Sequence, residues 1–203
     1  MLDRATSAGN ASLLEAAAPI TVGTAEDLAA RYYGLSVQAT PLAGERDDNF
    51  QLITSDGSRF VLKIVHPAED PSVTAAQTEV LDHVARTDPE LPIARLVPAT
   101  DGSLDPRADG ASEASGRALR MTTFCKGTPL RESAPSAALR EALGATLARL
   151  ARALQSFRPA PAAHQRLLWD LAEASDLRPM VSEIDRPEHR RRLEGFLDRY
   201  DEE

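Results

Sequence analysis

Short strand-like runs of apolar residues recur in the first two thirds of the chain, and in the first of them, residues 35–42, polar and apolar residues alternate as in a strand with one buried face. Strands are predicted at residues 35–42, 49–54, 59–65, 93–99 and 117–124. Asp56-Gly57 lies between the second and third runs, and this pair readily takes the positive φ that a hairpin turn needs. Residues 101–116 are rich in Asp, Ser, Gly and Ala, which indicates a solvated loop before the fifth strand.

Other segments repeat apolar residues at the spacing of a helix that packs one face on a neighbour. Helices are predicted at 24–34, 72–86, 136–156, 165–175 and 187–200. Thr24 is the expected N-cap of the first helix and Gly34 its expected stop. Strands followed by helices predict an α+β fold in two lobes. We expect an N-terminal arm over 1–23, a sheet lobe over 24–127 and a helical lobe over 128–203.

Composition narrows the possible functions. The 203 residues carry a net charge of −8, and the pI of about 5.1 argues against a general nucleic-acid binder. No stretch approaches the ~20 apolar residues that span a bilayer, so no membrane partner is expected. Met1-Leu2-Asp3-Arg4 lacks a signal pattern, which makes the cytoplasm the expected location. Cys125 is the single cysteine, which excludes an internal disulfide and a multi-cysteine metal site.

Lys63 is the first candidate for chemistry. Only two of the 23 basic residues are lysines, and Lys63 lies inside the apolar third strand. A lysine places a compact charge on a slim stem that can reach a phosphate. Val-Leu-Lys-Ile on a strand is the pattern with which kinases hold the α- and β-phosphates of ATP. The alternative is a strand lysine that extends to solvent.

A kinase-type lysine needs a carboxylate that orients it. Glu79 follows Lys63 by 16 residues, in the helix after the strand, where such a partner is expected. Glu69 and Asp82 compete for this role. The alternative for Glu79 is an ordinary solvated helix glutamate.

Two further segments could contact a nucleotide. The turn at 44–49 is placed to lie over phosphates, and Asn49 or backbone N–H groups could make the contacts. Its three acids, Glu45, Asp47 and Asp48, make it an awkward phosphate cradle, and an exposed acidic turn is the alternative. The strand end at 119–124 could offer backbone groups to an adenine edge. The alternative there is an edge strand that runs into a loop.

The order of these motifs is specific. The set comprises Asp48-Asn49-Phe50, Gly57 to Ile64, Glu90 to Arg95, Phe124 to Leu130, Leu143 to Leu150 and Leu168-Trp169-Asp170-Leu171. Together they resemble the aminoglycoside phosphotransferase / choline kinase family, and within it the hydroxylysine-kinase-like branch. The resemblance covers about residues 25–200. It implies a protein-kinase-like N-terminal lobe, with a five-stranded antiparallel sheet and one helix, followed by a partial helical C-terminal lobe.

The resemblance also implies an activity and a set of ligands. Family members transfer the γ-phosphate of ATP to a hydroxyl of a small amine or amino alcohol, with Mg²⁺. It carries Lys63 over as the phosphate-binding lysine and Glu79 as its partner. It makes Thr122, Thr123 and Phe124 the hinge that faces adenine, with Met121 at the back of the pocket. Asn49 would belong to the nucleotide loop. Bacterial members of this branch can be fused ahead of an aminotransferase, so a fused downstream enzyme is a possible partner.

The sequence departs from the family in one important respect. Members carry a later His-x-Asp…Asn catalytic loop and then a magnesium-binding Asp, and none of the four histidines here begins such a motif. We therefore predict no catalytic or metal-binding residue in this chain, with the magnesium ligands expected downstream. Without these groups phosphoryl transfer loses its main electrostatic terms.

Three hypotheses follow. The chain is predicted to be the N-terminal, ATP-binding portion of a small-molecule kinase and to be inactive alone. A non-catalytic interaction or regulatory module is the alternative, and a small-ligand binding protein that uses the same cleft without ATP is a third. Helices 136–156 and 187–200 would expose apolar faces in an incomplete lobe, so self-association is predicted.

Overall fold

A computed structural model of the protein describes residues 17–159 and 171–202. The described residues belong to two compact units, 17–159 and 171–202. Most of the predicted N-terminal arm and most of the predicted helix at 165–175 lie outside the described residues. The lobe boundary between residues 127 and 128 stays a prediction.

The first unit is built on a five-stranded antiparallel sheet. Its strands are β1 (Val37–Leu42), β2 (Asp48–Thr54), β3 (Arg59–Ile64), β4 (Leu96–Val97) and β5 (Leu119–Thr123). Their order across the sheet is β1-β2-β3-β5-β4. This confirms the predicted strand number and the α+β class. β4 is shorter than the predicted 93–99 and ends before Pro98, because a proline cannot donate to a strand ladder.

One face of the sheet forms the hydrophobic core. Leu62 and Ile64 of β3 and Met121 of β5 point into it and are completely buried. Helix α1 (Val22–Tyr33) covers this face with Leu28 and other apolar side chains. The fold therefore places the core of this unit between α1 and alternate residues of the central strands.

The N-cap of helix α1 lies three residues earlier than the sequence indicated. Thr21, not Thr24, is its N-cap: the Thr21 hydroxyl accepts a hydrogen bond from the Thr24 N–H at 3.1 Å. Thr21 has the extended backbone that a cap requires, whereas Thr24 already lies inside the helix. Gly34 ends the helix as predicted, in the left-handed conformation at φ 65°.

Helix α2 (Pro71–Thr87) lies on the opposite face of the sheet from α1. Asp70 caps it and Pro71 occupies its first turn, where the missing N–H costs nothing. Helix α3 (Ala137–Leu154) packs against α2, and an ion pair of 2.6 Å between Arg149 and Asp88 joins α3 to the end of α2.

The second unit contains a 3₁₀ segment (Leu171–Glu183) and helix α4 (Pro187–Glu202). Arg178 holds the two together through Asp198, at 3.0 Å, and Asp201. Leu197 is buried, whereas Phe196 is 56% exposed. Within the described parts of the chain, no helix is long and apolar enough to cross a bilayer.

Candidate nucleotide site

Six side chains of the central strands share the sheet face that is turned away from the core, which we call the Lys63 face. Strand register sets Asn49, Lys63 and Arg120 side by side across β2, β3 and β5. The next row holds Gln51, Val61 and Thr122. Directly opposed residues in antiparallel strands have Cβ atoms about 5 Å apart, so each row is a contiguous surface.

Lys63 is held by an acid from the loop between β1 and β2. Its Nζ atom lies 2.7 Å from Asp47 Oδ2, and the Lys63 side chain is 35% exposed. The other oxygen of Asp47 accepts the His66 backbone N–H at 2.8 Å. Burial raises the pKa of Asp47, but the bonds from Lys63 and His66 outweigh it, so the net pKa lies below its usual value. The Asp47 carboxylate thus already binds the ammonium group of the lysine that is predicted to bind phosphate.

The loop that carries Asp47 is a tight turn folded back on itself. A Cβ atom at Gly44 would lie 2.4 Å from the Asp47 carbonyl oxygen and 2.5 Å from Asn49 Nδ2. Asn49 Nδ2 donates to that carbonyl at 3.1 Å, and Arg46 pairs with Glu69 at 2.9 Å. Only glycine fits at position 44 in this conformation, and Asn49 serves to hold the turn together.

Lys63 and Glu79 are not brought together. Glu79 is exposed on α2, and no ion pair joins it to Lys63 among the residues the structure describes. The two competitors that the sequence offered also have other partners, since Glu69 pairs with Arg46 and Asp82 with Arg86. A role for Glu79 in orienting Lys63 stays a prediction.

The predicted hinge residues divide between the two faces of the sheet. Thr122 lies on the Lys63 face, whereas Met121 is completely buried in the core on the other face. The Thr123 N–H donates to Arg95 O at 2.8 Å and the Phe124 N–H to Arg59 O at 3.1 Å, so both donors are used within the fold. The Cys125 N–H makes no hydrogen bond to the described residues, and sequence reasoning did not single it out. The nucleotide roles of Met121 and of the hinge residues stay predictions.

Two further residues of the site were missed or misjudged from the sequence. Asp47 was read only as an obstacle in an acidic turn, although it pairs with Lys63. Arg120 was not singled out, because its position beside Lys63 depends on which strands pair. Its hydrogen bonds go to α2, and it is only 5% exposed. No group of three or more His, Cys, Asp or Glu residues that could hold a metal ion occurs in 17–159 or 171–202.

The sequence profile of the phosphotransferase enzyme family (APH) matches residues 38–203. The chain therefore belongs to this family, which confirms the family resemblance. The hydroxylysine-kinase-like branch stays a prediction. No curated protein sequence matches the chain.

Solved structures of small-molecule kinases share the fold. An amicoumacin kinase, hAmiN, determined with AMP-PNP, Ca²⁺ and Ami, superposes with a TM-score of 0.61 at 20% identity over 79% of this chain. A microcompartment-associated aminopropanol kinase gives 0.54 at 21% identity over 74% of this chain. An aminoglycoside phosphotransferase from Alicyclobacillus acidocaldarius gives 0.50 at 22% identity over 83%. The matched regions are 48%, 45% and 45% of those three proteins, so this chain spans a little under half of their length.

Proposed function

We propose that the chain is the ATP-binding portion of a small-molecule kinase that phosphorylates a hydroxyl of a small amine or amino alcohol. The observation that carries the proposal is the ammonium of Lys63, held on a half-buried sheet face with an anion at 2.7 Å. In the proposed complex, a phosphate oxygen of ATP would bind Lys63 Nζ in the place of the Asp47 carboxylate. Membership of the phosphotransferase family supports this assignment.

In the proposed complex the phosphates replace Asp47 on Lys63. The neighbouring row of Gln51, Val61 and Thr122 would lie against the adenosine, and the Cys125 N–H would donate to the adenine edge. Each group is half-buried or has a free donor, as a ligand surface requires. The described residues offer no cluster of metal ligands, so no step through magnesium is assigned to them.

Calorimetric titration of the full chain with ATP tests the proposal. A charge-assisted hydrogen bond contributes about 1.5–3 kcal/mol, so Lys63→Ala should weaken ATP binding by about 10- to 100-fold. Lys126→Ala is the matched control, because it removes the other lysine at an exposed position in the same unit. Binding that is equal in wild type and Lys63→Ala would overturn the proposal.

A non-catalytic interaction module is the second candidate. Leu143 and Leu147 of α3 are 43% and 55% exposed and lie one helical turn apart. Such a pair of exposed leucines suits contact with another protein surface. The calorimetric titration with ATP separates the two functions, because the module predicts no ATP binding that depends on Lys63.

A further inference from the structure

Arg120 is a buried cation without an acidic partner in the part of the chain that the structure describes. Its three hydrogen bonds go to neutral groups of α2: Nε to Thr78 Oγ1 at 2.9 Å, Nη1 to Gln77 Oε1 at 3.2 Å and Nη2 to Thr74 O at 2.9 Å. No carboxylate of the described residues lies within ion-pair distance of this guanidinium. A buried charge is costly unless an opposite charge compensates it.

The position of Arg120 indicates where such a charge would come from. Arg120 is the direct cross-strand neighbour of Lys63, on the same face of the sheet. Its hydrogen bonds to α2 hold the guanidinium in one place, so the position of this positive charge is fixed. The Arg120 guanidinium therefore belongs to the residue beside Lys63, whose ammonium group already binds the Asp47 carboxylate.

Electrostatics within the chain agree with this position. Burial lowers the pKa of Arg120, whereas Asp105 and Asp47 raise it. Asp47 is the acid bound to Lys63, so an anion at the Lys63 head interacts with Arg120 although it does not touch it. A bound triphosphate would bring several negative charges to the same place.

We infer that Arg120 is a specificity-determining residue of the nucleotide site, which favours ligands with more phosphate groups by adding positive potential beside Lys63. This inference rests on the proposed function. It assigns Arg120 no contact with the ligand, because Arg120 is only 5% exposed and each of its three nitrogen atoms already donates to α2.

Calorimetric titration with ATP, ADP and adenosine tests the inference. Loss of a unit charge near a partly buried anion site should weaken ATP binding about tenfold and ADP binding about threefold in Arg120→Gln, and leave adenosine binding unchanged. Arg120→Lys keeps the charge and should restore most of the ATP affinity. A merely structural role would instead weaken all three ligands by the same factor, and that result would overturn the inference.

Two further variants separate the effect of the lost charge from an effect of misfolding. Thr78→Val removes one hydrogen-bond acceptor and keeps the charge, so it should bind ATP like wild type. If Arg120→Gln does not fold, the double variant Arg120→Met with Thr78→Val replaces both partners by apolar groups, a change that can be nearly neutral for stability. Preference for ATP over ADP that stays at the wild-type value in this double variant would refute the inference. The proposed function would stand in that case, provided that Lys63→Ala still loses ATP.

Discussion

In the proposed complex Asp47 competes with the phosphates of ATP for Lys63, so removing its charge should strengthen ATP binding. Asp47→Asn is the suitable change, because the amide oxygen can still accept the His66 N–H and keep the loop in place. The Lys63 side chain is 35% exposed and that of Asp47 is 18% exposed, so solvent screens the ion pair. We therefore take about 1 kcal/mol for it, the upper end of the range for exposed pairs. This corresponds to about fivefold tighter binding of ATP.

Calorimetric titration with ATP and with adenosine measures the effect. Adenosine lacks phosphates and should bind Asp47→Asn and wild type alike. Glu45→Gln is the matched control, since it removes one negative charge from an exposed position of the same loop that does not contact Lys63. Tighter ATP binding in both variants would show a general charge effect, and weaker binding in Asp47→Asn alone would show that Asp47 assists the nucleotide. Either result would refute the competition that we describe.

Four further predictions concern stability and association. Gly44→Ala should lower the free energy of unfolding by about 1–3 kcal/mol in urea titrations, because its Cβ would lie 2.4 Å from Asp47 O; wild-type stability would mean that the turn relaxes freely. Arg117→Met should lower the free energy of unfolding by about 3–5 kcal/mol, since the Arg117 side chain is 1% exposed and donates to Ile64 O and Asp48. A decrease of less than about 1 kcal/mol would contradict this. The pKa of Asp47 is lower in the folded protein than its unfolded-state value of 3.8, so ionised Asp47 contributes stability above that pH. This contribution is lost as the pH falls through the folded-state pKa. In acid titrations, the stability difference between wild type and Asp47→Asn should therefore shrink below about pH 4. If the chain self-associates as predicted, Leu147→Glu should shift light-scattering mass toward the monomer, and an unchanged mass would exclude this face of α3.

The hydrophobic pattern predicted most of the elements correctly. The apolar run at 59–65, directly after the Asp56-Gly57 turn, located β3 and placed Lys63 within it. Gly34 marked the end of α1, since only a residue without a side chain easily takes the left-handed conformation found there. The pattern was wrong where two caps competed, and Thr21 took the role expected of Thr24.

The partner of Lys63 could not be found in the same way. Spacing along the chain favoured Glu79, whereas the structure pairs Lys63 with Asp47, 16 residues before it. That pairing depends on the tight turn at Gly44, which folds the loop back toward the sheet. Sequence distance gives no information on such a fold-back.

The sequence by itself determined the class of fold, the family and the strand on which Lys63 lies, because these follow from local patterns of apolar residues and from the order of motifs. Only the tertiary structure decided which residues surround that lysine. Arg120 becomes its neighbour through the pairing of β3 with β5, although the two residues are 57 positions apart. Register and loop conformation arise from packing between distant segments, and a one-dimensional pattern does not contain that information.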